Sequence, residues 1–189
     1  MTHSNLDSIL KSLQESDDNI TSLDEGWSQG RSAFGGISAA FAITAMRKLV
    51  PNDLPLRSLS VSFIAPVPPG KVLIETKIIR KGKSVVQAEA SLVCDGNICL
   101  RAMAAFGYSR ETYGIQPASS LKPKPRGVGI KFEDHAKKTP KFLQFFDGEW
   151  VNDGMPPFCN ASLPSSKSTS RPLPSGAFLF VGGVVAVVV

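Results

Sequence analysis

The chain has 189 residues, of which 42% are hydrophobic and 20% charged, and its formal net charge is +5. This composition is typical of one globular domain, or of one domain with part of a second. The basic residues are scattered rather than clustered, which favours a surface that attracts anionic small molecules and argues against nucleic acid as a partner.

The cysteines and histidines of the chain form no pattern typical of a metal or catalytic site. Cys94, Cys99 and Cys159 lack a metal-ligand spacing, so we predict no metal and no cofactor, and we expect a reduced, cytoplasmic protein. Cys94 and Cys99 flank the segment DGNI, where buried thiols facing each other across a hairpin are the expected arrangement. His3 and His135 have no serine or cysteine nearby in a recognisable motif, so we predict no pair of nucleophile and base.

The first predicted element is a short amphipathic helix near the N-terminus. The segment MTHSNLDSILKSLQESDD has no apolar stretch behind a positive segment, so it is not a secretory signal. Its apolar residues recur at helical spacing and lie on one side: Leu6, Ile9, Leu10 and Leu13.

A second helix is predicted over residues 36–49, inside the segment GRSAFGGISAAFAITAMRKLVP. Its apolar residues follow helical spacing, and small or apolar residues fill most of the remaining circumference. Arg47 and Lys48 lie in the last turn, where cations suit the negative end of the helix dipole, and Pro51 ends the helix. A helix that is apolar almost all round is expected to be wrapped by other elements.

Four strands with alternating hydrophobicity follow within residues 57–108. The segments between them, PVPPG, RKGK and CDGN, are short, and short turns join antiparallel neighbours. We therefore predict an antiparallel meander that buries one face against the apolar helix, an α+β arrangement with one long helix across a curled sheet.

Residues 26–110 resemble a known family through the order of several short segments. These are GR, then FGG at the start of the helix, SFIAPVPPG, RKGKSVVQAEASLVCDG and a closing AAFG. In that order they resemble the N-terminal hotdog domain of acyl-CoA thioesterases of the thioesterase II, or double hotdog, type. The resemblance implies hydrolysis of acyl-CoA to a free fatty acid and coenzyme A, in lipid metabolism.

The double glycine at the start of the second helix is the candidate substrate site. The first amides of a helix have no intrahelical partner and carry partial positive charge, and glycine lets another group come close. Under the resemblance, amides near Gly35 and Gly36 would stabilise the thioester oxyanion or bind an anionic end of coenzyme A. The alternative is that the glycines only permit a tight helix entry.

Three further features near the helix start have competing interpretations. Phe34 is assigned to substrate binding because it could wall an acyl tunnel, although such residues are usually ordinary core. The other residues that could line this tunnel are Ile37, Phe41, Ile43 and Met46. Arg31 could contact a phosphate or form a surface ion pair. Asp24 and Glu25 could orient water, but acidic residues before a helix usually serve its dipole.

The sequence divides into a predicted thioesterase-like hotdog domain at 1–112, a Pro- and Ser-rich linker at 113–127, and a remainder at 128–189. The remainder is expected to be a fragment of a second hotdog or an irregular tail. From Pro156 onward the composition changes, and no acidic residue follows Asp153, which indicates a truncated second domain or out-of-frame sequence. The apolar run AFLFVGGVVAVVV is shorter than the roughly 20 residues of a membrane helix, so no membrane span is predicted.

Two classes of function remain open at this point. In the family, the aspartate and polar partners that activate water lie in the second hotdog, so the resemblance leaves the catalytic residues of this chain unassigned. One interpretation is an acyl-CoA thioesterase, and the alternative is a non-catalytic module that binds acyl-CoA or pairs with another hotdog. A hotdog dehydratase would require an acid and a histidine in the groove, and neither is evident. Hotdog pairing also predicts a homo-oligomer.

Overall fold

The structure is a computed structural model that describes residues 5–111, 127–131, 140–150 and 184–188. It divides into two units, Met1–Pro117 with Gly183–Val189, and Ala118–Gly182. Within the described residues, no helix is both long enough and apolar enough to cross a membrane. The domain boundaries drawn from the sequence stay a prediction.

Helix α1 spans Leu6–Glu15 and confirms the first predicted helix. The side chain of Asn5 caps it by accepting a hydrogen bond from the backbone amide of Asp7. Ile9 and Leu13 are buried, as their spacing predicts. The helix packs against the second helix and against the first strand.

Helix α2 spans Gly35–Arg47 and confirms the central helix to within two residues at each end. Its buried side faces the sheet, and Phe41, Ala42, Ala45 and Met46 on that side are fully buried. Ala39, Ala40 and Ile43, on another side of α2, are only half-buried. The sheet covers one side of α2 and α1 covers only part of the other.

The described strands are, in chain order, β1 Ile20–Leu23, β2 Ser28–Gln29, β3 Ser32–Ala33, β4 Leu56–Phe63, β5 Gly70–Lys81, β6 Val85–Cys94, β7 Asn97–Gly107, β8 Ile130–Lys131, β9 Glu149–Trp150 and β10 Val184–Val188. Six of them form an antiparallel sheet in the order β1-β5-β6-β7-β4-β10. Alternate residues such as Val72, Ala88 and Leu100 form the buried face under α2. The predicted antiparallel sheet with its central helix is therefore confirmed.

One connection differs from the predicted meander. β5, β6 and β7 are joined by hairpins, but β4 pairs with β7, so residues 64–69 must cross the end of the sheet to reach β5. Both Ile64 and Ala65 donate their backbone amides to the carbonyl oxygen of Cys99, at 2.9 and 3.0 Å. Val67, in the middle of the crossing, is buried. Six extended residues reach about 20 Å, which is enough to span the three inter-strand spacings between β4 and β5.

In the second unit, β8 and β9 pair with each other, and a 3-10 helix covers Lys141–Phe145. The rings of Phe142 and Phe146 meet edge to face, with centroids 6.2 Å apart. The carboxylate of Glu149 accepts hydrogen bonds from the amides of Gly127 and Gly129. These contacts tie the β8–β9 pair together locally.

Candidate functional site

The candidate site lies at the start of α2. Phe34 is the N-cap residue, and no side chain caps the helix. The amides of Ile37 and Ser38 both point to the carbonyl oxygen of Phe34, at 3.1 and 3.4 Å. Within the described part of the chain, the amides of Gly35 and Gly36 donate no hydrogen bond. Two backbone donors are therefore available at the positive end of the helix dipole.

The backbone leading into α2 is held by hydrogen bonds to two neighbouring segments. The amide of Phe34 donates to the carbonyl oxygen of Trp27 at 2.9 Å, and the amide of Ala33 donates to that of Val67 at 2.7 Å. The hydroxyl of Ser32 accepts the amide of Val67 at 3.1 Å. Trp27 and Val67 are themselves buried. The direction in which the first amides of α2 point is therefore fixed by the core.

The ring of Phe34 folds back over Gly36. A β-carbon built on Gly36 would lie 3.0 Å from Cζ and 3.2 Å from Cδ1 of that ring. Any side chain at position 36 would push the ring away, so the packing reason for this glycine has a direct structural basis. Gly36 is exposed and Phe34 is half-buried.

Arg31 lies in the turn between β2 and β3, next to Gly30, whose φ of 66° lies in the left-handed region. Its side chain is exposed, and in the described residues it makes no ion pair or hydrogen bond. The alternative role considered for Arg31, a surface ion pair, is thus not seen among the described residues. The structure brings Phe34, Gly35 and Gly36 together, whereas no hydrogen bond joins Arg31 to them.

Asp24 has a structural role. Its carboxylate oxygen Oδ1 accepts the amide of Gly26 at 2.7 Å and caps the 3-10 helix Glu25–Trp27. This agrees with the expectation that an acidic residue at a helix start serves the helix itself. Capping accounts for the presence of Asp24 without a role in orienting water.

Sequence reasoning missed Ser28. Its hydroxyl oxygen is buried and has no hydrogen-bond partner in the structure. Ser28 follows Trp27, whose carbonyl oxygen holds the Phe34 amide, and its backbone pairs with Ala33 in β3. A buried unpaired hydroxyl is costly and is available to a ligand or water. No sequence signal distinguishes such a serine from any other in a short turn.

Cys94 and Cys99 are free and buried, which confirms the expected structural role. Burial raises the pKa of the Cys94 thiol to about 12, with the neighbouring Cys99 adding to the effect. A thiol in this state is a poor nucleophile. Cys159, His3 and His135 lie outside the described residues.

The residues considered for an acyl tunnel divide into two groups. Ile37, Phe41 and Met46 are buried core residues, whereas Phe34 and Ile43 are half-buried. A groove of about 360 Å³ lies beside the far end of α2, lined by Gln14, Ile43, Thr44, Arg47, Lys48 and Asn52. Arg47 lies eleven helical steps after Gly36, about 16 Å along the axis, so this groove does not serve the helix start. In the described segments, no three His, Cys, Asp or Glu residues are grouped as metal ligands.

An antiparallel sheet curled around one long helix defines the hotdog fold, and solved structures share it. A conserved protein of unknown function with a hotdog fold from Alicyclobacillus acidocaldarius is similar with a TM-score of 0.61 and 23% identity, covering 76% of this chain and 53% of that one. The tesB protein of Mycobacterium avium subspecies paratuberculosis is similar with a TM-score of 0.51 and 21% identity, covering 65% of this chain and 50% of that one. Acyl-CoA thioesterase II TesB2 from Mycobacterium marinum is similar with a TM-score of 0.50 and 18% identity, covering 68% of this chain and 49% of that one.

The family comparison agrees with these likenesses. Residues 23–107 match the family model described as the acyl-CoA thioesterase N-terminal domain. The resemblance seen in residues 26–110 is thereby confirmed, and the solved structures show the hotdog fold. No curated protein matches the sequence. The chain spans about half the length of the three structures named above.

Proposed function

We propose that this chain binds acyl-CoA at the start of α2 and acts as part of an acyl-CoA thioesterase. The family match supports a thioesterase-type function in general. The observation that carries the proposal is the pair of Gly35 and Gly36 amides, which have no hydrogen-bond partner in the described residues and lie at an uncapped helix start. Such donors suit a carbonyl oxygen that becomes negatively charged during reaction.

The proposed reaction is hydrolysis of the thioester. The oxygen of a water molecule forms a bond to the carbonyl carbon, and the carbonyl oxygen becomes an oxyanion that accepts hydrogen bonds from the two amides. The carbonyl forms again as the bond from carbon to sulfur breaks, the thiolate takes the proton that the water gave up, and a fatty acid and coenzyme A leave. None of the described residues is assigned as the group that activates the water.

The alternative function is a module that binds acyl-CoA without turnover. The capping role of Asp24 favours it, because one of the two acidic residues considered for orienting water already accepts the Gly26 amide. A thioesterase without a carboxylate to activate water would bind substrate and release little thiol. Binding and turnover must therefore be measured separately.

The test compares two substitutions at Gly35. Proline suits the first position of a helix and lacks an amide hydrogen, and Phe34 already has the extended conformation that precedes proline, with φ −54° and ψ 129°. Gly35→Pro thus removes one backbone donor, whereas Gly35→Ala adds a side chain and keeps the amide hydrogen. Loss of an oxyanion donor lowers kcat by about 100-fold or more.

The readouts are free-thiol release from a panel of acyl-CoAs and equilibrium binding of the same compounds. An enzyme predicts that Gly35→Pro loses turnover relative to Gly35→Ala. A binding module predicts no turnover in any variant and weaker binding in Gly35→Pro alone. If the two variants are equal in both measurements, the Gly35 amide has no role in the site.

We also propose that the chain forms a homo-oligomer. This proposal is supported by an apolar side of α2 that the sheet leaves half-buried. Ala39, Ala40 and Ile43 lie on that side. Small side chains on that side allow a second helix to approach closely. Light scattering across a concentration series tests this proposal, and replacing Ile43 by Lys should shift the protein to monomer. Location in the cytoplasm stays a prediction.

A further inference from the structure

The hairpin formed by β5 and β6 ends in an exposed segment, residues 77–85, which we call the hairpin tip. Every residue from 77 to 83 is exposed. Three of these nine residues are large and aliphatic, and their exposed fractions are 39% for Ile78, 45% for Ile79 and 40% for Val85. Large apolar side chains grouped on an exposed protrusion indicate a contact surface rather than core.

The backbone of the tip presents these side chains in different directions. A β-bulge between Ile78 and Arg80 leaves Ile79 without a partner residue on β6. Ile78 pairs with Ala88 and belongs to the inward face, whereas Val85 pairs with Gly107 next to the buried Val86. The amide of Gly82 donates to the carbonyl oxygen of Val85 at 2.8 Å and closes the turn. The tip is therefore a closed turn with apolar side chains around it.

The charge of the tip is positive and unbalanced. Arg80, Lys81 and Lys83 make no ion pair in the described residues, and residues 76–88 contain no acidic residue. Lys77, at the base of the tip, is paired with Glu89 at 2.7 Å. Arg57 lies beside the tip, because its Cγ and the Cγ2 of Val85 both approach Gly107.

Two neighbouring residues extend this surface. Arg57 donates to the carbonyl oxygen of Gly107 and to the hydroxyl of Ser109, both at 2.8 Å, so its charge meets only neutral oxygens. Tyr108 is 49% exposed, its amide donates to the carbonyl oxygen of Ser84, and its hydroxyl donates to the carboxylate of Asp53 at 3.4 Å. Tyrosine side chains, with an apolar ring and a polar end, are enriched where protein meets a lipid headgroup layer.

We infer that the hairpin tip docks on the surface of an anionic lipid bilayer. Cations at the tip attract lipid headgroups of opposite charge, and Ile78, Ile79 and Val85 enter the boundary between headgroups and acyl chains. A nucleic acid would meet the cations equally well but would leave the isoleucines exposed. Apolar side chains interleaved with unpaired cations therefore favour the lipid surface.

The position of the tip leaves the proposed substrate site free. Val85 pairs with Gly107, and the ring of the preceding Phe106 lies under Arg47 at the C-terminal end of α2, 5.2 Å from its guanidinium carbon. The tip is thus at the opposite end of α2 from Gly35. This inference goes beyond the proposed function and does not depend on it.

Sedimentation of the full chain with vesicles tests the inference. Vesicles of phosphatidylcholine with phosphatidylserine should bind the protein, and vesicles of phosphatidylcholine alone should bind it far more weakly. Each cation near an anionic surface contributes about a fivefold change in affinity, so Lys81→Gln/Lys83→Gln should weaken binding about 25-fold. The control Lys11→Gln/Lys71→Gln makes the same change in net charge on α1 and at the other end of β5.

A second pair of variants tests insertion of the apolar residues. Ile79→Ser should weaken binding about tenfold, whereas Met103→Ser, which changes an equally exposed residue on β7, should have little effect. Circular dichroism confirms that each variant is folded. Failure to bind phosphatidylserine vesicles overturns the inference, and so does an equal loss in both lysine pairs. Binding to RNA that Ile79→Ser leaves unchanged, with no vesicle binding, would identify a polyanion site instead.

Discussion

The aromatic ring of Phe34 covers the backbone of Gly36, with its Cζ atom 3.0 Å from the place that a β-carbon would take. This contact gives a packing reason for the second glycine of the pair. Position 36 must be glycine for the ring to lie where it does. Gly35 begins the helix, and its amide donates no hydrogen bond within the described residues.

The first prediction separates packing from binding at Gly36. Gly36→Ala should destabilise the fold by about 1–2 kcal/mol, because the new methyl group displaces the Phe34 ring. In a Phe34→Ala background the same substitution should stabilise by about 0.5–1 kcal/mol, since alanine is the better helix former. Chemical denaturation of the four proteins in this double-mutant cycle measures both changes. The same sign in both backgrounds would show that the ring does not determine the residue at position 36.

The sequence predicted the helices and strands well because their periodicities are local. A period of 3.6 residues marks α1 and α2, and alternation marks the strands from β4 to β7. The crossing of residues 64–69 was not predictable, because a short segment containing three prolines looks like a tight turn. Its course depends on hydrogen bonds to Cys99 and Ala33, which lie far away in sequence.

The candidate site was only partly predictable. FGG marks a helix start, and the family resemblance points to it as a site. The position of the Phe34 ring over Gly36 depends on which rotamer the side chain adopts. The unpaired hydroxyl of Ser28 depends on how β2 and β3 fold. Neither has a signature in residue type or spacing. The half-buried side of α2 was missed because composition gives the number of apolar residues but not which of them a neighbour covers.

A second prediction concerns Arg47, which joins α2 to the segment before β4. Its guanidinium donates to the carbonyl oxygens of Leu54 and Asn52, at 2.5 and 2.8 Å, and lies over the ring of Phe106. Arg47→Met should lower the free energy of unfolding by about 2–3 kcal/mol, because it removes two charged hydrogen bonds and a cation–π contact.

The neighbouring Lys48 supplies the control for Arg47. It is exposed and donates to Ser16 and Asn19 in the segment after α1. Lys48→Met should cost less than about 1 kcal/mol, since exposed polar contacts contribute little. Urea unfolding of both variants gives the comparison. Equal losses would mean that the Phe106 and Leu54 contacts of Arg47 add nothing beyond its charge.

A third prediction follows from the buried thiol of Cys94. Its pKa is raised from an ordinary value near 9 to about 12 by burial and by Cys99, so the folded protein holds the proton that the unfolded chain releases. This contribution to stability is fully present below pH 9 and is lost as the pH rises from there toward 12. In Cys94→Ala the alkaline decline should be smaller than in the parent protein. Unfolding measured across this pH range in a Cys159→Ser background tests it, and parallel curves would contradict it.

The last prediction concerns the edge of the sheet at β4. Residues from Val184 to Val188 pair antiparallel with β4, from Val184 opposite Ser62 to Val188 opposite Ser58. Valine-rich segments of this kind promote aggregation when they are exposed, whereas the register shows the backbone of this one covering an edge that would otherwise be open to another chain. Replacing residues 184–188 by a Gly-Ser segment of equal length should therefore increase self-association, because the amides and carbonyls of β4 lose their partner. Light scattering over a concentration series measures the change, and Lys81→Gln serves as a control far from this edge. If the variant with the Gly-Ser segment scatters less light than the parent protein at every concentration, residues 184–188 promote self-association and do not protect β4.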